Sequence, residues 1–182
     1  MKKKQKAIII PISFVGKRPR MLVVKDKRHG DWTFVTGGCK QRELEMPILA
    51  AVRELEEETR GVVVMTECIY SYYSFIRKSK EATEEDSVYH VYVVDMPVTK
   101  TQQREMVSKF NHSMRTTTMK RAFEENDGLA WVTMSELRAR KVWSLIRHNV
   151  INSGSLFYTI MYSQNRTFYS VPEKVEVEDG EE

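Results

Sequence analysis

Apolar residues and turn signals alternate along most of this chain, and their spacing predicts an alternation of strands and helices. Residues 7–15 and 21–25 are β-branched, apolar runs separated by the turn-like residues 16–19, which is typical of two neighbouring strands. Further strands are predicted at residues 32–36, 61–76, 88–96 and 129–133, and helices at residues 46–59, 102–110, 135–150 and 156–161. No linker rich in Pro, Gly or Ser divides the chain, so we predict one domain over residues 1–165 with an α+β fold, a mixed sheet and few helices.

Composition narrows the class of protein. Hydrophobic residues make up 41% of the 182 residues, enough for one buried core, and no apolar run reaches the roughly 18 residues that a membrane-spanning helix needs. We therefore expect no membrane partner. The two cysteines, Cys39 and Cys68, are too few for a disulfide framework and are typical of a reducing compartment, which predicts a cytoplasmic location.

The formal charge of +4 is distributed unevenly along the chain. Residues 1–30 contain ten Lys or Arg and one acid, whereas residues 171–182 contain six acids and one base. We predict that residues 171–182 form a solvated, disordered acidic tail. The basic remainder favours a polyanionic partner such as a nucleic acid, a nucleotide or an inositol phosphate, although a cationic surface that only keeps the protein soluble explains the same composition.

The predicted helix at residues 46–59 carries three glutamates on one face. Glu54, Glu57 and Glu58 have the spacing i, i+3, i+4, which places them within about 100° of each other around the helix axis. Like charges at such positions repel, by roughly 0.2–0.5 kcal/mol per pair on an exposed helix. Arg53 can neutralise one of the glutamates, and Mg²⁺, which prefers oxygen ligands, could neutralise the others. An ordinary solvated acidic face is the alternative.

These residues resemble the Nudix box, whose pattern is G-x5-E-x7-R-E-U-x-E-E-x-G-U, with U apolar. Glu45 is followed by seven residues and then by residues 53–55 and 57–58, which keep every charged position of the box. Two glycine positions differ, because the leading glycine falls on Cys39 and the closing glycine on Arg60. The resemblance covers about residues 5–150 and implies an α/β/α sandwich with a loop–helix–loop catalytic motif.

The resemblance also implies an activity and a cofactor. Nudix enzymes hydrolyse a diphosphate linked to another moiety, and by this resemblance Glu54, Glu57 and Glu58 would hold Mg²⁺ or Mn²⁺. Gly38, the residue before the box, would add a backbone oxygen ligand.

Other residues of the motif would support the metal site. Arg53 would orient the glutamates through charge-assisted hydrogen bonds. Glu45 would hydrogen-bond within the motif and brace the loop against the helix, with Gly37 at the start of that loop. A general base is also required, and in family members it is a box glutamate or an acid from a later loop. Glu57, Glu58 and Glu125 are therefore the candidates, with Glu125 preferred to its acidic neighbours.

The substrate is less well determined, and the sequence identifies no substrate-binding residue. The basic N-terminal third, with Trp32 and the aromatic residues 70–75, could bind phosphates and stack on a base, but strand packing explains the aromatic residues as well. Capped RNA 5′ ends, nucleoside triphosphates, dinucleoside polyphosphates and diphosphoinositol polyphosphates are all open. Residues 32–39 and 53–61 look like Nudix proteins encoded by large DNA viruses, some of which remove mRNA caps, and this favours an RNA 5′ end. The competing interpretation is a non-catalytic Nudix-fold module that binds a nucleotide or RNA.

Overall fold

The fold is seen in a computed structural model, which describes residues 3–113, 125–162 and 166–170. Within these residues, eight strands form one mixed sheet with the order β3-β2-β1-β6-β5-β8, in which β4 also pairs with β1 and β7 with β2. The strands are β1 (Lys4–Ser13), β2 (Arg20–Asp26), β3 (Trp32–Thr33), β4 (Val35–Gly38), β5 (Glu67–Arg77), β6 (Ser87–Asp95), β7 (Asn126–Val132) and β8 (Thr167–Ser170). The helices are α1 (Ile48–Glu58), α2 (Lys100–Ser113), α3 (Met134–Arg138), α4 (Ser144–Ile146) and α5 (Ser155–Tyr162).

The central strand β1 is buried on both faces of the sheet. It pairs parallel with β6 and antiparallel with β2 and β4, so it has neighbouring strands along both edges. Its apolar residues are buried on both faces, which is typical of a central strand covered by helices. Ala7 and Ile9 point into a core beneath α1 and α2, whereas Ile8 and Ile10 point into a second core beneath α3, α4 and α5. Helices therefore cover both faces, and the predicted α+β sandwich with a mixed sheet and few helices is confirmed.

Two predicted elements are broken by tertiary pairing. The strand expected at residues 32–36 divides at Phe34, because Trp32–Thr33 pairs with β2 while Val35–Gly38 pairs with β1. The helix expected at residues 135–150 stops after Arg138. The chain then passes beside Trp32, whose backbone N–H donates to the Lys141 carbonyl (2.8 Å) and whose carbonyl accepts from the Trp143 N–H (2.9 Å). Helix resumes at α4 and continues through a π-helical turn, Arg147–Ile151.

The sheet extends past the predicted end of the domain at residue 165. β8 pairs antiparallel with β5, so residues up to Ser170 belong to the same sheet. The acidic tail predicted at residues 171–182 lies outside the described residues. None of the helices in the described part of the chain is long and apolar enough to cross a membrane.

Candidate functional site

The predicted acidic residues lie on α1, whose faces differ in burial. The helix starts at Ile48 directly after Pro47, whose backbone is already helical and which needs no N–H at the first turn. Its buried residues are Ile48, Ala50, Ala51, Val52, Leu55 and Glu58. Arg53, Glu54 and Glu57 are partly buried beside them. One acid, Glu58, therefore belongs to the otherwise apolar buried face.

Arg53 is the centre of a hydrogen-bond network that links α1 to the preceding loop. Its Nε and Nη2 donate to the two carboxylate oxygens of Glu43, both at 2.9 Å. Its Nη1 donates to Glu54 (2.9 Å) and to Glu57 (3.2 Å), and Nη2 also donates to the Gly38 carbonyl (3.0 Å). These contacts, the hydrogen bond to Glu43 first, raise the pKa of Arg53. A permanently charged, bidentate donor therefore fixes two of the three box glutamates.

The loop is braced by Glu43, so the prediction of Glu45 for this role was wrong. Glu43 is 3% exposed and also accepts the Lys40 backbone N–H at 2.8 Å, whereas Glu45 is exposed to solvent. Burial opposes ionisation of Glu43, but the hydrogen bonds from Arg53 and Lys40 outweigh it and lower its pKa. The first part of the box, G-x5-E, is matched by Gly37 and Glu43, which have five residues between them. Nine residues, where the pattern has seven, then separate Glu43 from Arg53. The leading glycine is thus present, and the loop is two residues longer than the pattern.

Gly37 and Gly38 have different surroundings. A Cβ atom on Gly37 would overlap the Glu54 side chain, so any larger residue there would force this carboxylate to move. A Cβ atom on Gly38 would meet no heavy atom within 4 Å. The carbonyl of Gly38, predicted as a metal ligand, accepts from Arg53, and its metal role stays a prediction.

Glu58 is a buried carboxylate among other carboxylates. It is 8% exposed, and burial, followed by the charges of Glu54 and Glu125, raises its pKa well above the usual value. Hydrogen bonds from the Thr36 backbone and the Asn126 side chain oppose this rise. Burial also raises the pKa of Glu54 despite the contact with Arg53, and Glu125 again contributes. The structure therefore brings Glu125, predicted only by its position in a later loop, close to Glu54 and Glu58.

A cleft of about 780 Å³ opens above these acids. Glu58, Glu125 and Asn126 line it together with Thr36 and Gly37. Its other lining residues include three cations, Lys6, Lys27 and Arg28. The cleft thus combines an acidic floor, suited to a cation, with basic groups, suited to phosphates.

The aromatic residues expected to stack on a base are differently placed. Trp32 is covered by Arg140, whose guanidinium lies 4.3 Å from the ring centroid. Tyr72 is half exposed, but its ring stacks on His90 and its hydroxyl is hydrogen-bonded to His90 Nδ1 (2.6 Å). Neither lines the cleft, whereas Trp143, which the sequence did not single out, does. Trp143 reaches the cleft because its backbone N–H is hydrogen-bonded to the Trp32 carbonyl, and the local sequence around Trp143 does not predict this contact.

The family of the chain follows from a comparison with family models. The model of the NUDIX domain matches residues 3–151. The chain belongs to the Nudix family. Among curated proteins, none matches the chain. The finer resemblance, to Nudix proteins of large DNA viruses, stays a prediction.

Solved structures share this Nudix fold. The NUDIX domain of Shewanella oneidensis NrtR, solved with ADP ribose, is 14% identical with a TM-score of 0.58, over 87% of this chain and 90% of that chain. The C. elegans Ap4A hydrolase, solved as a binary complex, is 11% identical with a TM-score of 0.55, over 86% and 98% of the two chains. RenU, a Nudix hydrolase from M. smegmatis, is 11% identical with a TM-score of 0.54, over 87% of each chain. At these identities the similarity shows the fold.

The closing turn of the Nudix box contains an unusual residue, Arg60. Its φ of 56° is in the left-handed region, which favours glycine, and Gly61 follows with a φ of 73°. The Arg60 side chain donates to the Asn126 carbonyl at 2.8 Å, and its guanidinium lies 4.9 Å from the centroid of the Phe110 ring. Arg60 thus ties the end of α1 to the start of β7, directly beside Glu125, at the cost of backbone strain.

The Nudix carboxylates have the chemistry of a site for a hard divalent cation. Five carboxylates gather around the end of β4 and the outer turns of α1: Glu43, Glu54 and Glu57, which share the Arg53 guanidinium, and Glu58 and Glu125, which do not contact it. Glu58 has no ion pair with any described residue, although it is buried. Within the described residues, no three His, Cys, Asp or Glu side chains stand together as ligands of one ion, because Glu54 and Glu57 face Arg53. Carboxylate oxygens are the donors that a hard divalent cation prefers, and in this structure Arg53 shares those of Glu54 and Glu57.

Proposed function

We propose that this Nudix protein hydrolyses a diphosphate linkage in a nucleoside diphosphate linked to another moiety, with a divalent cation as cofactor. One observation carries the proposal: Glu58, on the helix whose Glu54 and Glu57 are held by Arg53, lines with Glu125 a cleft that also presents Lys6, Lys27 and Arg28. Acidic and basic groups in one cleft suit a ligand that is itself a complex of phosphates with a cation.

Glu54, Glu57 and Glu58 are the residues proposed to hold Mg²⁺ or Mn²⁺. When bound, the cation supplies charge neutralisation of the diphosphate and lowers the pKa of water. Arg53 keeps Glu54 and Glu57 in place through its hydrogen bonds. Arg53 contacts no reacting atom in this proposal and is a positioning residue.

Glu125 is proposed as the general base. It lines the cleft beside Glu58, and its backbone carbonyl accepts the Lys27 N–H at 3.0 Å, which fixes the backbone directly before β7. A carboxylate at the wall of the cleft is placed to accept a proton from a water molecule bound there. Glu57 and Glu58 are the alternatives for this role.

The residues that would bind the rest of the substrate, its phosphates and its base, are proposed from the lining of the cleft and from the ligands of similar structures. Lys6, Lys27 and Arg28 would contact phosphates, and Trp143 offers an aromatic wall for a base. The NrtR domain is described with ADP ribose and the C. elegans enzyme acts on Ap4A, and both ligands are nucleotides containing a diphosphate. ADP ribose, Ap4A, capped RNA and diphosphoinositol polyphosphate are therefore the substrates to compare.

The test measures products from this substrate panel with Mg²⁺ or Mn²⁺. Glu57→Gln should lower kcat for the best substrate by roughly 100-fold or more, because it removes a proposed metal ligand. Glu56→Gln is the matched control, since Glu56 has the same chemistry on the same helix but is exposed outside the cluster. Calorimetry with Mn²⁺ alone should show weaker binding to the Glu57 variant and unchanged binding to the Glu56 variant. Full activity of Glu57→Gln would refute the metal assignment.

The second candidate function is binding of a nucleotide without hydrolysis. It is favoured by one observation, namely that Arg53 engages both Glu54 and Glu57. In that case ADP ribose binds in calorimetry with no product from any substrate, and Glu57→Gln leaves its affinity unchanged. Product formation that requires Mg²⁺ or Mn²⁺ excludes this alternative.

A further inference from the structure

A second cavity lies beside α2, away from the acidic cleft. Its volume is about 720 Å³, and it shares no lining residue with the cleft. It borders a smaller cavity of about 360 Å³ at the turn between β1 and β2, and the two have Arg20 and Lys100 in common. We call the two cavities together the basic groove. Its cationic residues are Lys17, Arg18, Arg20, Lys100 and Arg104.

The charge of the basic groove is not balanced by nearby acids. Within the described part of the chain, no Asp or Glu lines either cavity. Arg20 has one distant ion pair, 3.9 Å from Glu136, and its Nη1 donates to the Trp131 carbonyl at 3.5 Å. The other four cations form no ion pair with a described residue. Five neighbouring positive charges repel one another, so a polyanion is the ligand that this surface favours.

The groove is built on rigid elements. Lys100 and Arg104 are one turn apart on α2 and share a face with Ser108 and Asn111, which also line the cavity. The other side of α2 is anchored by Phe110, fully buried, and by Gln103, whose amide donates to the Val98 carbonyl at 3.1 Å. The cations and the polar donors therefore follow one line along the helix.

The groove and the cleft lie at opposite ends of β2. Arg20 begins this strand in the groove, and Asp26 ends it in the cleft. The two residues are six positions apart along the strand, about 20 Å at 3.3 Å per residue. A small nucleotide in the cleft does not extend to the groove, so the groove requires a ligand of its own or a much longer one.

We propose that the basic groove binds a single-stranded nucleic acid through its phosphate backbone. The cations are spread over the β1–β2 turn, the start of β2 and α2, which suits a row of phosphates along a strand. A compact polyphosphate needs cations that converge on one point. Ser108 and Asn111 add hydrogen-bonding groups for phosphate and sugar oxygens. The proposal goes beyond the proposed hydrolysis and does not depend on it.

The test uses fluorescence anisotropy with labelled oligouridylate and oligothymidylate of about 16 nucleotides, in EDTA so that no hydrolysis occurs. The double variant Lys100→Gln/Arg104→Gln should bind at least roughly tenfold more weakly than the wild type. The slope of log K against log salt should fall in magnitude by about 0.7 for each phosphate that the variant no longer neutralises. Comparing the two oligonucleotides shows whether RNA or DNA is preferred.

The matched control is Lys80→Gln/Lys109→Gln, which removes the same charge from exposed positions outside the groove, one of them on α2. We expect its affinity to stay within about twofold of the wild type, because phosphate contacts are local. Equal weakening by both double variants, absence of binding by the wild type, or displacement of the strand by equimolar inositol hexakisphosphate would each overturn the proposal.

The outcome is separable from that of the proposed function. The groove variants replace exposed side chains, so their melting temperatures should match that of the wild type. Binding of Mn²⁺ and turnover of ADP ribose or Ap4A should also be unchanged in them, since these report on the cleft. Loss of strand binding with an intact cleft supports the groove, whereas an inactive cleft with intact strand binding refutes only the hydrolase.

Discussion

The guanidinium of Arg53 connects four acceptors that belong to three parts of the chain. It joins Glu43 of the loop, the Gly38 carbonyl at the end of β4, and Glu54 and Glu57 of α1. Its planar fork can meet the two oxygens of Glu43 while still donating to the others. The geometry of the acidic cluster therefore depends on one side chain and on its most buried partner.

Replacing this partner should destabilise the protein. We expect Glu43→Gln to lower the free energy of unfolding by about 2 kcal/mol, because it converts a buried charge-assisted pair into a neutral one. Glu45→Gln, two residues later and exposed, should change it by less than about 0.5 kcal/mol. Urea denaturation of both variants measures the difference. A larger effect at Glu45 than at Glu43 would contradict the assignment of the brace to Glu43.

At the scale of elements, the site depends on how closely β4 approaches α1. The Glu54 side chain lies against the backbone of Gly37, so the position of this carboxylate depends on the missing side chain at residue 37. The adjacent Gly38 faces open space. Two neighbouring glycines thus have different roles: one permits close packing, and the other contributes a carbonyl to Arg53.

A pair of alanine substitutions tests this difference. Gly37→Ala should displace Glu54 and lower both the affinity for Mn²⁺ and kcat by roughly tenfold or more, since a metal ligand would lose its position. Gly38→Ala has room for its methyl group and should leave both within about twofold of the wild type. Calorimetry and steady-state kinetics give the two values. If Gly38→Ala were the more harmful change, the close approach at Gly37 would not matter to the site.

At the scale of the whole molecule, the charges are sorted into separate surfaces. The basic residues of the N-terminal third divide between the cleft, with Lys6, Lys27 and Arg28, and the basic groove, with Lys17 and others. The acids of α1 and Glu125 gather at the cleft, which Glu58 and Glu125 line. The folded chain thus holds like charges at short distances, and its stability should depend on pH and on added cations.

Glu58 determines the sign of this pH dependence in metal-free protein. Its pKa is raised well above 4.5, chiefly by burial, so the folded state keeps a proton that the unfolded chain has already lost. Between pH 4.5 and the folded pKa the unfolded state binds fewer protons, and the free energy of unfolding therefore falls as pH rises. The lowered pKa of Glu43 acts in the opposite direction, but below pH 4.5.

Urea denaturation in EDTA from pH 4.5 to neutral pH measures this fall. Glu58→Gln removes the more strongly shifted group and should make the curve shallower, leaving the smaller contribution of Glu54, whose pKa is also raised. Mn²⁺ should reduce the fall in the wild type by stabilising the ionised carboxylates. Glu56→Gln is again the control, and its curve should follow that of the wild type. A wild-type curve that rises over this range would show that Glu58 is ionised in the folded protein without metal.

The sequence by itself determined the class of the fold, the position of the box helix and the identity of its three glutamates. These follow from local periodicity, because a helix with the spacing i, i+3, i+4 places Glu54, Glu57 and Glu58 together whatever surrounds it. The loop before the helix was harder, since two acids, Glu43 and Glu45, compete for Arg53 within three residues. The spacing G-x5-E, which Gly37 and Glu43 satisfy, favours Glu43 as the acid that braces the loop.

Only the tertiary structure decided which groups meet across the chain. Burial selected Glu43 over Glu45 as the partner of Arg53. The pairing of β2 with β7 brought Glu125 beside Glu58. The hydrogen bond from Arg60 to the Asn126 carbonyl likewise joins residues that are 66 positions apart in the sequence. The division of the basic residues between a cleft and a groove also depends on where β2 begins and ends in space. Such contacts are non-local, so they arise from packing and strand pairing, for which residue spacing along the chain carries no signal.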